Sequence, residues 1–114
     1  MIKKLQHRSP SVSTHIQTVF RLSYAVEAKL LGAADFPPLK RPLEDYINSN
    51  SIFFGYIEQT ELAGIIEIEQ NATCTEINSL VVHPDFFRRG IAKKLLVFGL
   101  KTNQLTYYLK LNHH

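Results

Sequence analysis

The sequence predicts an α+β domain, with helices packed on a mostly antiparallel sheet in the order β-α-α-β-β-β-α-β. Between residues 51 and 82, three segments rich in β-branched and aromatic residues are separated by short polar turns, the pattern of a meander. On either side of them apolar residues recur at three- and four-residue spacing, the period of amphipathic helices. A chain of 114 residues that is 45% hydrophobic and 20% charged has material for one core and not for two. Residues 1–114 are therefore read as a single domain.

Each element has its own local cause. Ile2 to His7 reads as a first strand, which Ser9-Pro10-Ser11 breaks. Thr14-His15-Ile16-Gln17 has the spacing of a capping box. Ile16, Val19, Phe20, Val26, Leu30 and Leu31 then share a helical face up to Gly32, a suitable stop, so the first helix is placed from about His15 to Leu31. Pro37, Pro38 and Pro42 enforce a loop, and Pro42 stands at the first turn of a short helix through Leu43, Tyr46 and Ile47. Ser51 to Glu58 and Leu62 to Glu69 form a hairpin. Thr75 to Val82 adds the third strand, ended by the His83-Pro84-Asp85 turn. Ile91, Ala92, Leu95, Leu96, Gly99 and Leu100 mark a helix opened by Arg88 and Arg89, and Thr106 to Leu111 reads as one more strand.

Composition narrows the function classes. Cys74 is the single cysteine, which excludes an intrachain disulfide and a multi-cysteine zinc site and favours a reducing compartment. It reads as a small core or strand residue, His83 as a turn residue, and the other histidines lack metal-ligand spacing, so no metal is expected. No apolar run has signal-peptide or membrane-helix length, which makes the cytoplasm the expected location. His113 and His114 are assigned no function. The net charge of +3 is mild but unevenly distributed. From Pro42 to Phe87 there is no Lys or Arg, while Glu44, Asp45, Glu58, Glu61, Glu67, Glu69, Glu76 and Asp85 all fall there. Arg88, Arg89, Lys93, Lys94 and Lys101 follow at once. The division suits an anionic ligand at one end and a cationic one at the other, or two solvated faces.

The junction Leu80-Val-Val-His-Pro-Asp-Phe-Phe-Arg-Arg-Gly-Ile-Ala-Lys-Lys-Leu-Leu96 carries the chemistry. Arginines at a helix start oppose the macrodipole, which already places about half a positive charge there. An anion seated on that start reverses the sign, because the free N–H groups donate to it while the arginines screen it. Gly90 fits such a seat, since a missing side chain lets backbone approach a phosphate. A solvated basic first turn fits the same residues.

Val82-His-Pro-Asp-Phe-Phe-Arg-Arg-Gly-Ile-Ala92 resembles the acetyl-coenzyme A loop of the GNAT N-acetyltransferases, written Gln/Arg-x-x-Gly-x-Gly/Ala. The strand before it, the helix after it and the whole order of elements agree as well. Phe87 departs from the pattern, standing where the family has Gln or Arg. The resemblance implies that Leu80, Val81 and Val82 pair through their backbone with the pantetheine arm. It also implies that Arg88, Arg89, Gly90, Ile91, Ala92 and Lys93 surround the pyrophosphate, mostly through amides.

The activity so implied is transfer of acetyl from acetyl-coenzyme A to a primary amine on a small molecule or peptide. Glu76 falls in the register of the strand glutamate that serves as general base in the histone-acetylating branch. Glu67 and Glu69 are possible helpers, and a solvent-facing Glu76 is the plain structural reading. In related enzymes a further helix and hairpin follow the last strand and supply a tyrosine acid, so the chain reads as C-terminally shortened. That role is not carried onto Tyr107 or Tyr108. The strand edge left open implies self-association, a homo-oligomer. The alternative is a shortened, inactive coenzyme-binding or interaction module. Nucleic acid fits worst, because the basic cluster lacks interleaved aromatics and the middle of the chain is acidic.

Overall fold

The structure is a computed structural model that describes residues 1–72, 74–102 and 106–109. Among these, five strands form one sheet in the spatial order β1 (Ile2–Lys4), β2 (Ile52–Glu58), β3 (Glu61–Gln70), β4 (Cys74–Val82) and β5 (Thr106–Leu109). Neighbours from β1 to β4 are antiparallel, whereas β5 lies parallel to β4. A parallel neighbour needs a crossover connection, and α3 (Ile91–Thr102) provides it. The expected α+β architecture is therefore the observed one. No helix among the described residues is long and apolar enough to cross a membrane.

The sheet buries both faces. On one side α1 (Pro10–Leu31) and α2 (Leu43–Ile47) bring Ile16, Phe20, Tyr24 and Tyr46 onto Phe53, Ile65 and Val81. On the other, Ile91 and Leu95 of α3 pack on Ala63, Ile66, Ile68 and Ile77. The approach of α3 is close because Gly64 has no side chain. A Cβ there would stand 2.8 Å from Ile91 Cγ2 and 3.1 Å from Leu95 Cδ1.

Several boundaries differ from the sequence reading. α1 begins at Pro10, about a turn and a half before His15, so Ser9-Pro10-Ser11 starts the helix and does not break the chain. Ser9 is the extended N-cap, and proline suits the first helical turn, where its missing N–H costs nothing. Thr14 sits inside the helix, where its hydroxyl donates to the Pro10 carbonyl at 2.8 Å. β1 ends at Lys4, although Leu5 N–H still donates to the Phe53 carbonyl at 2.8 Å. The end of the expected last strand, residues 110 and 111, lies outside the described residues, as do His113 and His114.

β4 carries a bulge that alternation hides. Glu67 of β3 faces Ser79, yet its neighbour Ile68 faces Ile77, which leaves Asn78 as an extra residue. Ile77 consequently packs under α3, while Val81 joins the core under α1. Two odd-numbered positions of one strand thus serve opposite faces.

Candidate active site

β4 runs directly into the turn that precedes α3. His83 N–H donates to the Ala63 carbonyl at 2.8 Å, and a 3-10 turn follows over Pro84–Phe86. Its cap is His83, whose Nδ1 accepts from Asp85 N–H at 3.1 Å, a turn role as expected. Arg88 and Gly90 then adopt left-handed conformations, φ 68° and 72°. The helix therefore begins at Ile91, and the arginines stand ahead of it and do not open it. Lys94 N–H donates to the Gly90 carbonyl at 3.0 Å, closing the first turn. By helix geometry the amides of Ile91, Ala92 and Lys93 have no carbonyl one turn back and point outward.

The start of α3 borders a cavity of about 320 Å³ lined by Val82, Phe86, Phe87, Arg88, Gly90, Ile91 and Ala92. Open space surrounds Gly90, where an added Cβ would meet nothing within 4 Å. Arg89 is oriented separately: its guanidinium donates to Glu58 Oε2 at 2.5 Å and lies over the Phe86 ring at 5.2 Å. Lys93 is exposed on the first turn of α3. Leu80 packs toward α3 and Val81 toward α1, so what these two share with Val82 is strand backbone.

The described part of β5 lies beside β4 from Cys74 to Ile77. Among the described residues, Ser79 to Val82 is thus bonded to β3 alone. An extended ligand could add to this edge as a strand does.

The carboxylates separate by environment. Glu76 is partly buried, opposite Glu69 on β3 and Tyr108 on β5. Glu69 is exposed and accepts from Asn78 Nδ2 at 2.8 Å. Glu67, expected as a helper, is instead enclosed at 2% exposure. Arg41 holds it with two bonds of 2.9 and 3.1 Å, and the Ser79 hydroxyl donates to it at 3.0 Å. The guanidinium also stacks on Tyr46, 4.1 Å from the ring centre. Burial works to lower the pKa of Arg41, but hydrogen bonding and the charge of Glu67 more than offset it and leave it raised. Burial pushes the Tyr24 and Tyr46 phenols up; a bond with Ser79 partly counters this at Tyr24.

Sequence reasoning missed Arg41 and Ser79. One signal was present, a glutamate set among isoleucines in Gly-Ile-Ile-Glu-Ile, where a charge needs a partner. Cys74 is buried at the start of β4 with its thiol toward Asn71 Oδ1 at 3.3 Å, a strand residue as read. Among the described residues no group of three or more His, Cys, Asp or Glu could hold a metal ion.

A family model for the acetyltransferase (GNAT) domain matches residues 25–110, three-quarters of the chain. The chain belongs to the GNAT acetyltransferase family. This GNAT chain is 36% identical over 104 residues to UPF0157 protein YqkA of Bacillus subtilis (strain 168), covering 91% of itself and 30% of that protein. It therefore spans less than a third of that relative's length. Among solved structures, the PaiA N-acetyltransferase of Thermoplasma acidophilum in complex with coenzyme A superposes with a TM-score of 0.71 at 24% identity, over 90% of this chain and 70% of that one. An aminoglycoside 6'-N-acetyltransferase complexed with coenzyme A gives 0.62 at 21% identity, over 90% and 54%. An acetyltransferase from Thermus thermophilus gives 0.68 at 16%, over 96% and 75%. At these identities the likeness is one of fold.

Proposed function

We propose that this GNAT chain transfers an acetyl group from acetyl-coenzyme A to a primary amine. One observation carries the reading: the Ser79–Val82 backbone, bonded among the described residues to β3 alone, leads straight into the cavity at the mouth of α3. A linear carrier with a phosphate-rich end and an amide-bearing arm matches that sequence of features. The amides of Ile91, Ala92 and Lys93, with the Arg88 and Arg89 guanidinium groups, would hold the pyrophosphate. The backbone of Leu80, Val81 and Val82 would pair with the arm. Gly90 fits because the space above it is free for phosphate oxygens. Bound there, the coenzyme supplies a thioester activated for attack.

Glu76 takes the role of base in this reading. A primary amine with a pKa of about 10 enters as an ammonium and has to lose a proton before its nitrogen can attack the thioester carbonyl. The C–N bond forms, the C–S bond breaks, and the thiolate leaves to collect a proton. Glu76 lies on β4 within the β5 pairing, opposite Tyr108, and is partly exposed, in reach of solvent that can carry the proton away. Self-association across the outer edge of β5 belongs to the same proposal; a monodisperse monomer in light scattering at micromolar concentration would refute it.

Thermal shift with acetyl-coenzyme A against a matched DNA oligomer tests the first step. Stabilisation by the coenzyme alone is expected, about 2.7 kcal/mol at 100-fold excess over Kd. Release of free thiol with a mixture of polyamines, amino acids and peptides tests transfer, and stabilisation without release points to a non-catalytic module. Gly90→Glu places a carboxylate in the phosphate seat and abolishes binding while the fold persists; retained binding sinks the assignment. Glu76→Gln lowers thiol release about 100-fold with coenzyme binding intact, and unchanged release removes Glu76 from the role.

A further inference from the structure

The geometry points to Arg41, Glu67 and Ser79 as positioning residues that pin the β4 bulge and thereby fix the placement of the Ser79–Val82 backbone. The consequence for catalysis rests on the acetyl-transfer reading above; the structural claim does not.

Glu67 is the hub. Its carboxylate receives three bonds from two elements besides its own: two from Arg41, in the segment ahead of α2, and one from Ser79 of β4. A buried ion pair is weak support for stability, because desolvating two charges offsets most of their attraction. Its better-attested use is to fix register. Here the pair sits on the rung where register changes. Glu67 faces Ser79, and the next rung jumps to Ile68 and Ile77, with Asn78 left over.

Nothing apolar at this place distinguishes the bulged strand from one slipped by a residue, since Cys74, Ile77, Val81 and Val82 offer hydrophobic side chains to either face. The Ser79 hydroxyl bond to Glu67 does distinguish them. A slip would carry Ser79 to the α3 side and leave the Glu67–Arg41 pair without its third bond. Arg41 holds Glu67 from above, anchored at its own backbone by Gln17 Nε2 donating to the Arg41 carbonyl at 3.2 Å. The cluster thus ties α1, the loop before α2, β3 and the bulge to one carboxylate. It lies under the α1 face, away from the phosphate seat, so the two can be perturbed independently.

The test uses the double variant Arg41→Leu with Glu67→Leu, in which apolar side chains fill the site and neither charge is stranded. Three readouts are compared with the unaltered chain: melting temperature, coenzyme binding, and amide hydrogen exchange across Asn78–Val82. The expected result is an unchanged or higher melting temperature, coenzyme affinity within threefold, and exchange at the bulge at least tenfold faster. Thiol release, where the unaltered chain shows it, falls at least tenfold in kcat with KM for acetyl-coenzyme A held. A folded double variant with unaltered exchange at the bulge overturns the inference, whatever its activity. Ser79→Ala keeps the ion pair and removes only the hydroxyl's bonds to Glu67 and Tyr24, so it folds even if the double variant does not; faster exchange confined to Asn78–Val82 supports the inference and unaltered exchange overturns it. Should the unaltered chain fail to bind the coenzyme, the functional reading falls, while the exchange data still decide the role of the cluster.

Discussion

Arg88 is the residue whose conformation says most about its use. It stands at φ 68°, a region in which an L side chain costs roughly 1–2 kcal/mol, and it makes up an exposed part of the cavity wall. On the proposed reading its guanidinium serves the pyrophosphate. Arg88→Gly relieves the backbone, so the melting temperature is expected to hold or rise while coenzyme affinity falls several-fold. A calorimetric titration beside a thermal melt reads both, and a drop in stability with affinity retained would refute the argument. Tyr46 offers a second test at this scale. Burial raises its phenol, so the folded chain keeps that proton longer than the unfolded one. Its contribution is complete below the ordinary tyrosine value of about 10 and is lost as pH climbs through that value toward the folded one. Melting temperature is expected to fall above pH 10, less steeply in Tyr46→Phe, which keeps the ring on Arg41. Equal slopes would mean that Tyr46 does not govern the alkaline limb.

The elements were legible in the sequence where one face is buried and the local period is clean. The hairpin, α3 and the turn at His83 follow from apolar spacing and from Pro84. The start of α1 was not, because Ser9-Pro10 serves equally as a break and as a cap, and only packing of the added turn decides. The bulge was hidden because Thr75, Ile77, Ser79 and Val81 alternate as a regular strand would, and an inserted rung leaves no mark in a period of two. The Arg41–Glu67 pair joins residues 26 apart, beyond any local pattern. Of the candidate site, the loop around Gly90 and the Leu80–Val82 strand leading into it were visible, and the bulge that precedes them was not. How α3 is seated gives an element-scale prediction. Gly64→Ala pushes a methyl into Ile91, which begins α3, and Leu95, one turn further on, and should cost about 1–3 kcal/mol. Because Ile91 opens the helix, coenzyme affinity drops with it. Gly99→Ala meets only the ends of Ile66 and Ile68 at 3.3 and 3.4 Å and should be neutral or stabilising. Denaturant midpoints for the pair check the contrast; a harmless Gly64→Ala would mean that α3 is not seated through this contact.

Across the whole molecule the charges sort by position. Arg88, Arg89, Lys93 and Lys94 gather at the mouth of α3, and the sheet and the loops before it carry most of the acids. Some of that positive charge is already engaged: Arg89 is paired with Glu58, and Lys94 lies 5.5 Å from the Tyr56 ring centre with its ammonium toward the hydroxyl. Arg88 and Lys93 are both exposed and make no such contact among the described residues, so they dominate the field an approaching anion meets. Such a field acts through water and is screened by salt, the screening length falling from about 10 Å at 0.1 M to about 3 Å at 1 M. Coenzyme affinity is therefore expected to fall several-fold as salt rises through that range, with the loss mainly in the association rate. The backbone amides contribute at contact distance and resist screening, so a salt-insensitive remainder should persist. In Arg88→Ala with Lys93→Ala the two parts separate: affinity at low salt drops toward the high-salt value of the unaltered chain, and the salt slope flattens. Stopped-flow binding at several ionic strengths gives both numbers, and a double variant with the full slope would place the field elsewhere than at the mouth of α3.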